Sequence, residues 1–147
     1  MILIDTNVLV ALVDERDALR NRALEDLGKL EGPFEVLDAV LVETCFLLQQ
    51  AYLRQRVYFV LERLAIGHTQ IQDDWWSSIF AWLAKYARHE PDLCDAMLVV
   101  TAARQKSAIW TYDAEFTKLS RSPEGKALQL VGSREKVRRQ RKTPRLK

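Results

Sequence analysis

Short continuous apolar runs alternate along this chain with longer segments in which apolar residues recur every three or four positions. Residues 2–4 (ILI) and 34–37 (FEVL) read as buried strands. Between them, Val8, Leu9, Leu12 and Val13 predict a short helix. Leu19, Ala23, Leu27 and Leu30 predict a second, ended at Gly32 and Pro33. Residues 38–65 predict mostly helix, broken near Arg54 and Arg56, and residues 68–72 (HTQIQ) a weak third strand. Asp73 or Asp74 is expected to cap a helix with two adjacent apolar stripes, one through Trp75, Ile79, Trp82 and Tyr86, the other through Trp76, Phe80, Leu83 and Ala87. Three tryptophans on two stripes exceed what one sheet face can cover, so part of this surface is expected to meet a partner. Pro91 precedes another apolar helix; residues 108–112 and 127–131 read as strands, and 114–119 as a helical turn. The alternation predicts an α/β domain of three layers, α/β/α, with a mainly parallel central sheet.

A length of 147 residues fits one domain with a core of its own. No apolar stretch is long enough to span a membrane, and the N-terminus lacks the basic start of a secretory signal, so a cytoplasmic protein is expected. Cys45 and Cys94 lie in apolar surroundings without metal-ligand spacing and read as reduced thiols; His68 and His89 are isolated. The net charge of +2 conceals an asymmetry: residues 132–147 carry +7 and residues 1–131 carry −5. The chain therefore divides into an acidic body and a basic tail.

Four acids interrupt apolar segments. Asp5 directly follows the first strand, and Asp113 directly follows "AIWTY". In open parallel sheets, ligands bind beyond the carboxyl ends of strands, which places both acids at one edge. Asp95 lies in the first turn of the helix after Pro91, and Glu43 sits inside "AVLVETCFLL". Each has a local alternative except Glu43: Asp5 as a helix cap, Asp92 and Asp95 as a capping box, Asp113 as a turn residue. If the four converge, their mutual repulsion calls for a cation, and oxygen ligands without His or Cys select Mg²⁺ or Mn²⁺.

"ILIDTNVLVALV", "VLVET", "DLCDAMLVVTAA" and "IWTYDAEF" together resemble the four signature blocks of the PIN domain family, especially its VapC-type toxins. The resemblance implies a PIN-like nuclease domain over residues 1–131 followed by the basic tail 132–147. It carries the family's metal-binding and catalytic acids onto Asp5, Glu43, Asp95 and Asp113, with Asp92 an alternative in the third block. Thr6, Asn7 and Thr111 match supporting polar positions. The implied activity is that of a hydrolase: a Mg²⁺- or Mn²⁺-dependent endoribonuclease, the toxin of a toxin–antitoxin module, forming a homodimer and binding an antitoxin protein. Phosphate contacts are expected from Arg54 and Arg56 and from Arg138, Arg139 and Arg141 of the tail. Alternatives are a solitary RNA-processing nuclease and a PIN-like RNA- or protein-binding module without catalysis. A haloacid-dehalogenase-like phosphatase would need a second acid where Asn7 stands.

Overall fold

The computed structural model describes residues 1–133; Arg138, Arg139 and Arg141 lie outside the described residues. Ile2–Ile4, wholly apolar and buried, form β1. β1 pairs on one side with β2 (Phe34–Leu37) and on the other with β4 (Ala108–Trp110). β3 (Gly67–Thr69) and β5 (Leu130–Val131) complete an all-parallel sheet of order β3-β2-β1-β4-β5. A strand covered on both faces must be apolar throughout, and Leu3, Ile4, Val36, Leu37, Ile109 and Trp110 are fully buried.

Two helices, α1 (Thr6–Val13) and α2 (Arg20–Lys29), connect β1 to β2. α3 (Asp38–Leu47) and α4 (Ala51–Arg63) connect β2 to β3. The return to β4 passes through α5 (Trp76–Lys85) and α6 (Leu93–Gln105), and the short α7 (Phe116–Leu119) precedes β5. Right-handed crossovers put α1 to α4 on one face and α5 and α6 on the other, and the packing follows: α1 touches α2, α3 and α4, while α5 packs on α6. The three-layer parallel architecture expected from the sequence is therefore present. Strand order reverses between β1 and β4, which opens a crevice beyond their carboxyl ends.

Several boundaries differ from the periodicity reading. The long helical segment breaks at Leu48–Gln50, not at the arginines. Leu48 turns inward to bury its side chain, and Arg54 Nε donates to the carbonyls of Cys45 (3.0 Å) and Leu48 (2.6 Å), closing the end of α3. β3 starts one residue early and ends at Thr69, whose hydroxyl meets the Glu35 carboxylate across the ladder. Asp73 and Asp74 cap no α-helix: they form a single 3₁₀ turn (Asp73–Trp75), and α5 begins without a side-chain cap. On α5, Ile79 and Trp82 are buried, whereas Trp76 and Phe80 face outward. Among the described residues no helix is long and apolar enough to cross a membrane.

Candidate active site

The crevice at the strand reversal holds a cavity of about 200 Å³ lined by Asp5, Thr6, Asn7, Glu43, Leu47, Asp92, Asp95 and Asp113. The residues that occupy it come from four separate parts of the chain. Asp5 arrives because β1 ends at Ile4 and the carboxylate then caps α1, accepting from the Thr6 amide at 2.8 Å. Its other oxygen accepts from the Thr111 hydroxyl at 2.7 Å, and the same hydroxyl oxygen accepts from the Asp113 amide at 3.1 Å. Asn7 accepts from the Tyr112 amide at 3.3 Å. These bonds draw residues 111–113 out of the β4 ladder and toward β1, which is why β4 stops at Trp110 and not at Tyr112.

The local roles considered for the other acids are also real. Asp113 accepts from the Glu115 amide at 2.9 Å, fixing a turn. Asp92 and Asp95 form a reciprocal capping box: Asp92 accepts from the Asp95 amide at 2.8 Å, and Asp95 accepts from the Asp92 amide at 3.2 Å. Glu43 is different. It sits mid-helix on α3, half-buried, and among the described residues its carboxylate takes no hydrogen bond. Nothing in local structure accounts for its charge there.

Electrostatics follow from this crowding. Asp5 is pushed up to about 6, by burial first and then by Asp113 and Glu43, against the lowering effect of Thr111 and Thr6. Asp95 is pushed up to about 7 by burial, then by Asp92 and Asp5. The Cys94 thiol is raised by burial and then by Glu43, Asp5, Asp92 and Asp95 together. Cys94 does not line the cavity, whose side-chain acceptors are all oxygen atoms. The Thr6 hydroxyl, buried at this cavity, has no hydrogen-bond partner among the described residues. An orphaned hydroxyl among carboxylates with raised affinity for protons is a donor set that fits a hard divalent cation. As the side chains stand, no group of three His, Cys, Asp or Glu residues among the described residues is positioned to hold an ion.

Against this geometry, the PIN domain family model matches residues 2–122. The chain belongs to the PIN domain family. Solved PIN-fold structures align with it over most of their length. Mycobacterium tuberculosis VapC20, described as a toxin cleaving the sarcin–ricin loop, shares 19% identity at a TM-score of 0.70, covering 80% of this chain and 94% of its own. The VapBC2 complex of Rickettsia felis, bound to a fragment of promoter DNA, gives 15% identity, a TM-score of 0.62 and coverage of 92% and 99%. A toxin–antitoxin complex from Klebsiella pneumoniae gives 19%, 0.60, 79% and 90%. No curated protein matches the sequence. At these identities the likeness to solved structures establishes a shared PIN fold.

Two positively charged residues expected to contact RNA have duties within this PIN domain. Arg54 closes α3, and Arg56 pairs with Glu15 at 2.7 Å. Sequence reasoning also missed a second polar centre. Asp26 of α2 accepts from the Tyr112 hydroxyl (2.6 Å) and from the amide (2.8 Å) and hydroxyl (2.9 Å) of Ser133, while Arg22 lies 4.4 Å from the Tyr112 ring centroid. Asp26 falls three residues after Ala23, on the apolar stripe of its helix, but the donors that make it a centre come from far along the chain.

Proposed function

We propose that this PIN domain is a Mg²⁺- or Mn²⁺-dependent endoribonuclease and the toxin of a toxin–antitoxin pair, acting in the cytoplasm. The observation that carries the reading is the cavity at the strand reversal, where Asp5, Glu43, Asp92, Asp95 and Asp113 share one hollow with a Thr6 hydroxyl that has no partner among the described residues.

Asp5, Glu43, Asp95 and Asp113 would hold the ion, with Asp92 at the rim. A divalent ion bound there supplies Lewis acidity that lowers the pKa of water and offsets charge on the phosphate oxygens. The chain's own contribution is placement. Thr6 and Thr111 hold both oxygens of Asp5, and Thr111 in turn ties down the backbone at Asp113, so two ligands from opposite ends of the sequence move as one. Asn7 locks the intervening Tyr112 amide. Hydrolysis of this kind needs no protein nucleophile.

The nuclease domain, residues 1–131, continues into the basic tail, residues 132–147, which carries Arg138, Arg139 and Arg141 as further phosphate contacts. Exposed Val42 and Phe46 on α3 and Trp76 and Phe80 on α5 supply apolar surface for a second copy of the chain. An antitoxin partner is supported by the resemblance to toxin–antitoxin complexes. The decisive experiment is Mn²⁺-dependent cleavage of a mixed single-stranded RNA pool by wild type and Asp5→Asn. Cleavage by wild type alone supports the reading; equal cleavage by both places the activity elsewhere. A wild type that binds RNA but cleaves nothing with Mn²⁺ present makes the chain a PIN-fold binding module.

A further inference from the structure

A second hollow, of about 280 Å³, shares the wall of Leu47 with the acid cavity. It is lined by Asp14 and Arg16 beyond the end of α1 and by Gln49 and Gln50 in the break between α3 and α4. Arg16 is the decisive residue. Its guanidinium donates to the Tyr52 hydroxyl (2.8 Å) and to Gln50 Oε1 (3.3 Å), and its own amide is held by Asp14 at 3.0 Å. Among the described residues it forms no salt bridge, although Glu15 is its neighbour in sequence, because Glu15 turns to Arg56. Arg20 and Arg54 are differently used, their donors directed at helix-end carbonyls. Arg16, exposed to solvent and with the Asp14 carboxylate on the same wall, is thus oriented by neutral acceptors and is open to an incoming acceptor.

We infer that this hollow seats the nucleotide adjoining the scissile phosphate, with Arg16 as the residue that positions it. The inference rests on the nuclease reading above and deepens it. A phosphodiester held at the acids must continue on either side into a neighbouring nucleotide, and a hollow with a common wall is where that nucleotide fits. Its size suits one base, below the usual range of small-ligand pockets, about 300 Å³ and upward. The lining offers a planar donor fork in Arg16, an acceptor in Asp14 and amides of both kinds in Gln49 and Gln50, a set able to meet the edge of a splayed base. Tyr52, 54% exposed and bonded to Arg16 through its hydroxyl, offers an aromatic face beside it for stacking.

The test uses the full chain, short single-stranded RNA oligonucleotides randomised around the cut, and Arg16→Ala beside Arg104→Ala, which removes one exposed charge at the far end of α6. Arg16→Ala is expected to raise KM about tenfold and to flatten the nucleotide preference beside the cut, while Arg104→Ala does neither. Mn²⁺ affinity, read by calorimetry, stays at the wild-type value in Arg16→Ala and is lost in Asp5→Asn. Arg16→Lys restores part of the affinity but not the preference, since an ammonium lacks the fork. If Arg16→Ala keeps the wild-type KM and cut pattern while Asp5→Asn is inactive, the hollow is not a nucleotide seat and the nuclease reading stands. If wild type cleaves nothing, the nuclease reading fails, and oligonucleotide affinity decides: weaker binding by Arg16→Ala than by Arg104→Ala supports the seat, and equal binding overturns it.

Discussion

Asp5 and Asp26 are buried almost equally, at 7% and 5% exposure, yet their surroundings drive them in opposite directions. Burial alone would raise Asp26, but hydrogen bonds from Tyr112 and Ser133 and the nearby Arg22 hold its carboxyl below the ordinary range. Asp5 has two donors of its own, Thr111 and Thr6, and is still pushed up to about 6, by burial first and then by the carboxylates Asp113 and Glu43. Residue exposure alone therefore does not tell these two acids apart; how deeply each carboxylate is desolvated, and what answers its charge, does. Asp26 is satisfied by donors within the chain, whereas Asp5 shares its hollow with further carboxylates, which is what the proposed cation site requires.

The largest expected effect separates the two residues by activity. Asp5→Asn should lower metal-dependent cleavage by about a thousandfold, since several kcal/mol of metal-derived stabilisation is removed and each 1.4 kcal/mol is about a factor of ten. Its metal-free melting temperature at pH 8 should equal or exceed that of wild type, because a buried charge disfavoured by its neighbours is gone. Asp26→Ala should do the reverse. It leaves the Tyr112 hydroxyl and two Ser133 donors without their acceptor, a loss of about 2–3 kcal/mol measured by chemical denaturation, with cleavage per folded molecule retained. Loss of cleavage in a folded Asp26→Ala protein would join the two centres into one.

How much of this was legible beforehand follows from the same contrast. The positions of Asp5, directly after β1, and Asp113, three residues past the end of β4, were readable because an acid beyond the carboxyl end of an apolar parallel strand projects at that edge of the sheet. Glu43 was readable because a mid-helix acid among apolar residues has no local purpose. Asp26 and Arg16 were not read, since what defines them arrives from far along the chain: Tyr112 is 86 positions from Asp26, Ser133 is 107 away, and Tyr52 is 36 from Arg16. The break at Leu48–Gln50 carries no Gly or Pro and is set by burial of Leu48, a tertiary demand invisible to periodicity. The strand-end acids thus declared themselves, while the donors that make a buried acid harmless did not.

The contrast sharpens with pH. In the metal-free protein Asp5 and Asp95 bind protons more tightly when folded, at about 6 and about 7, than in the unfolded chain, near the ordinary value of about 4. Between those limits the folded state holds more protons than the unfolded state, so stability falls as pH rises from about 4 to about 7. Asp26, shifted the other way, gives up its contribution only on acidification below that window. The expected outcome is a metal-free melting temperature that decreases from pH 5 to pH 8 and is restored by Mn²⁺ at pH 8 but not at pH 5, where protons compete for the ligands. A melting temperature independent of Mn²⁺ at both pH values would mean that the acids do not form a metal site. Asp5→Asn should flatten the pH slope, and Asp26→Asn should leave it in place.

Asp92 falls between the two kinds of acid and yields the smallest predicted effect. It accepts from the Asp95 amide as the cap of α6, which is a structural role, yet it is exposed, lines the acid cavity and raises Asp95. Asp92→Ala removes the cap and should lower stability by about 1 kcal/mol, whereas Asp92→Asn keeps an acceptor and should stay within about 0.5 kcal/mol of wild type. If Asp92 only holds the helix end that presents Asp95, Asp92→Asn should cleave like wild type and Asp95→Asn should not cleave at all. Two equally inactive Asn variants would instead make Asp92 a ligand in its own right. Because Asn preserves the capping bond while removing the charge, the pair of variants isolates what the carboxylate itself does at the cavity.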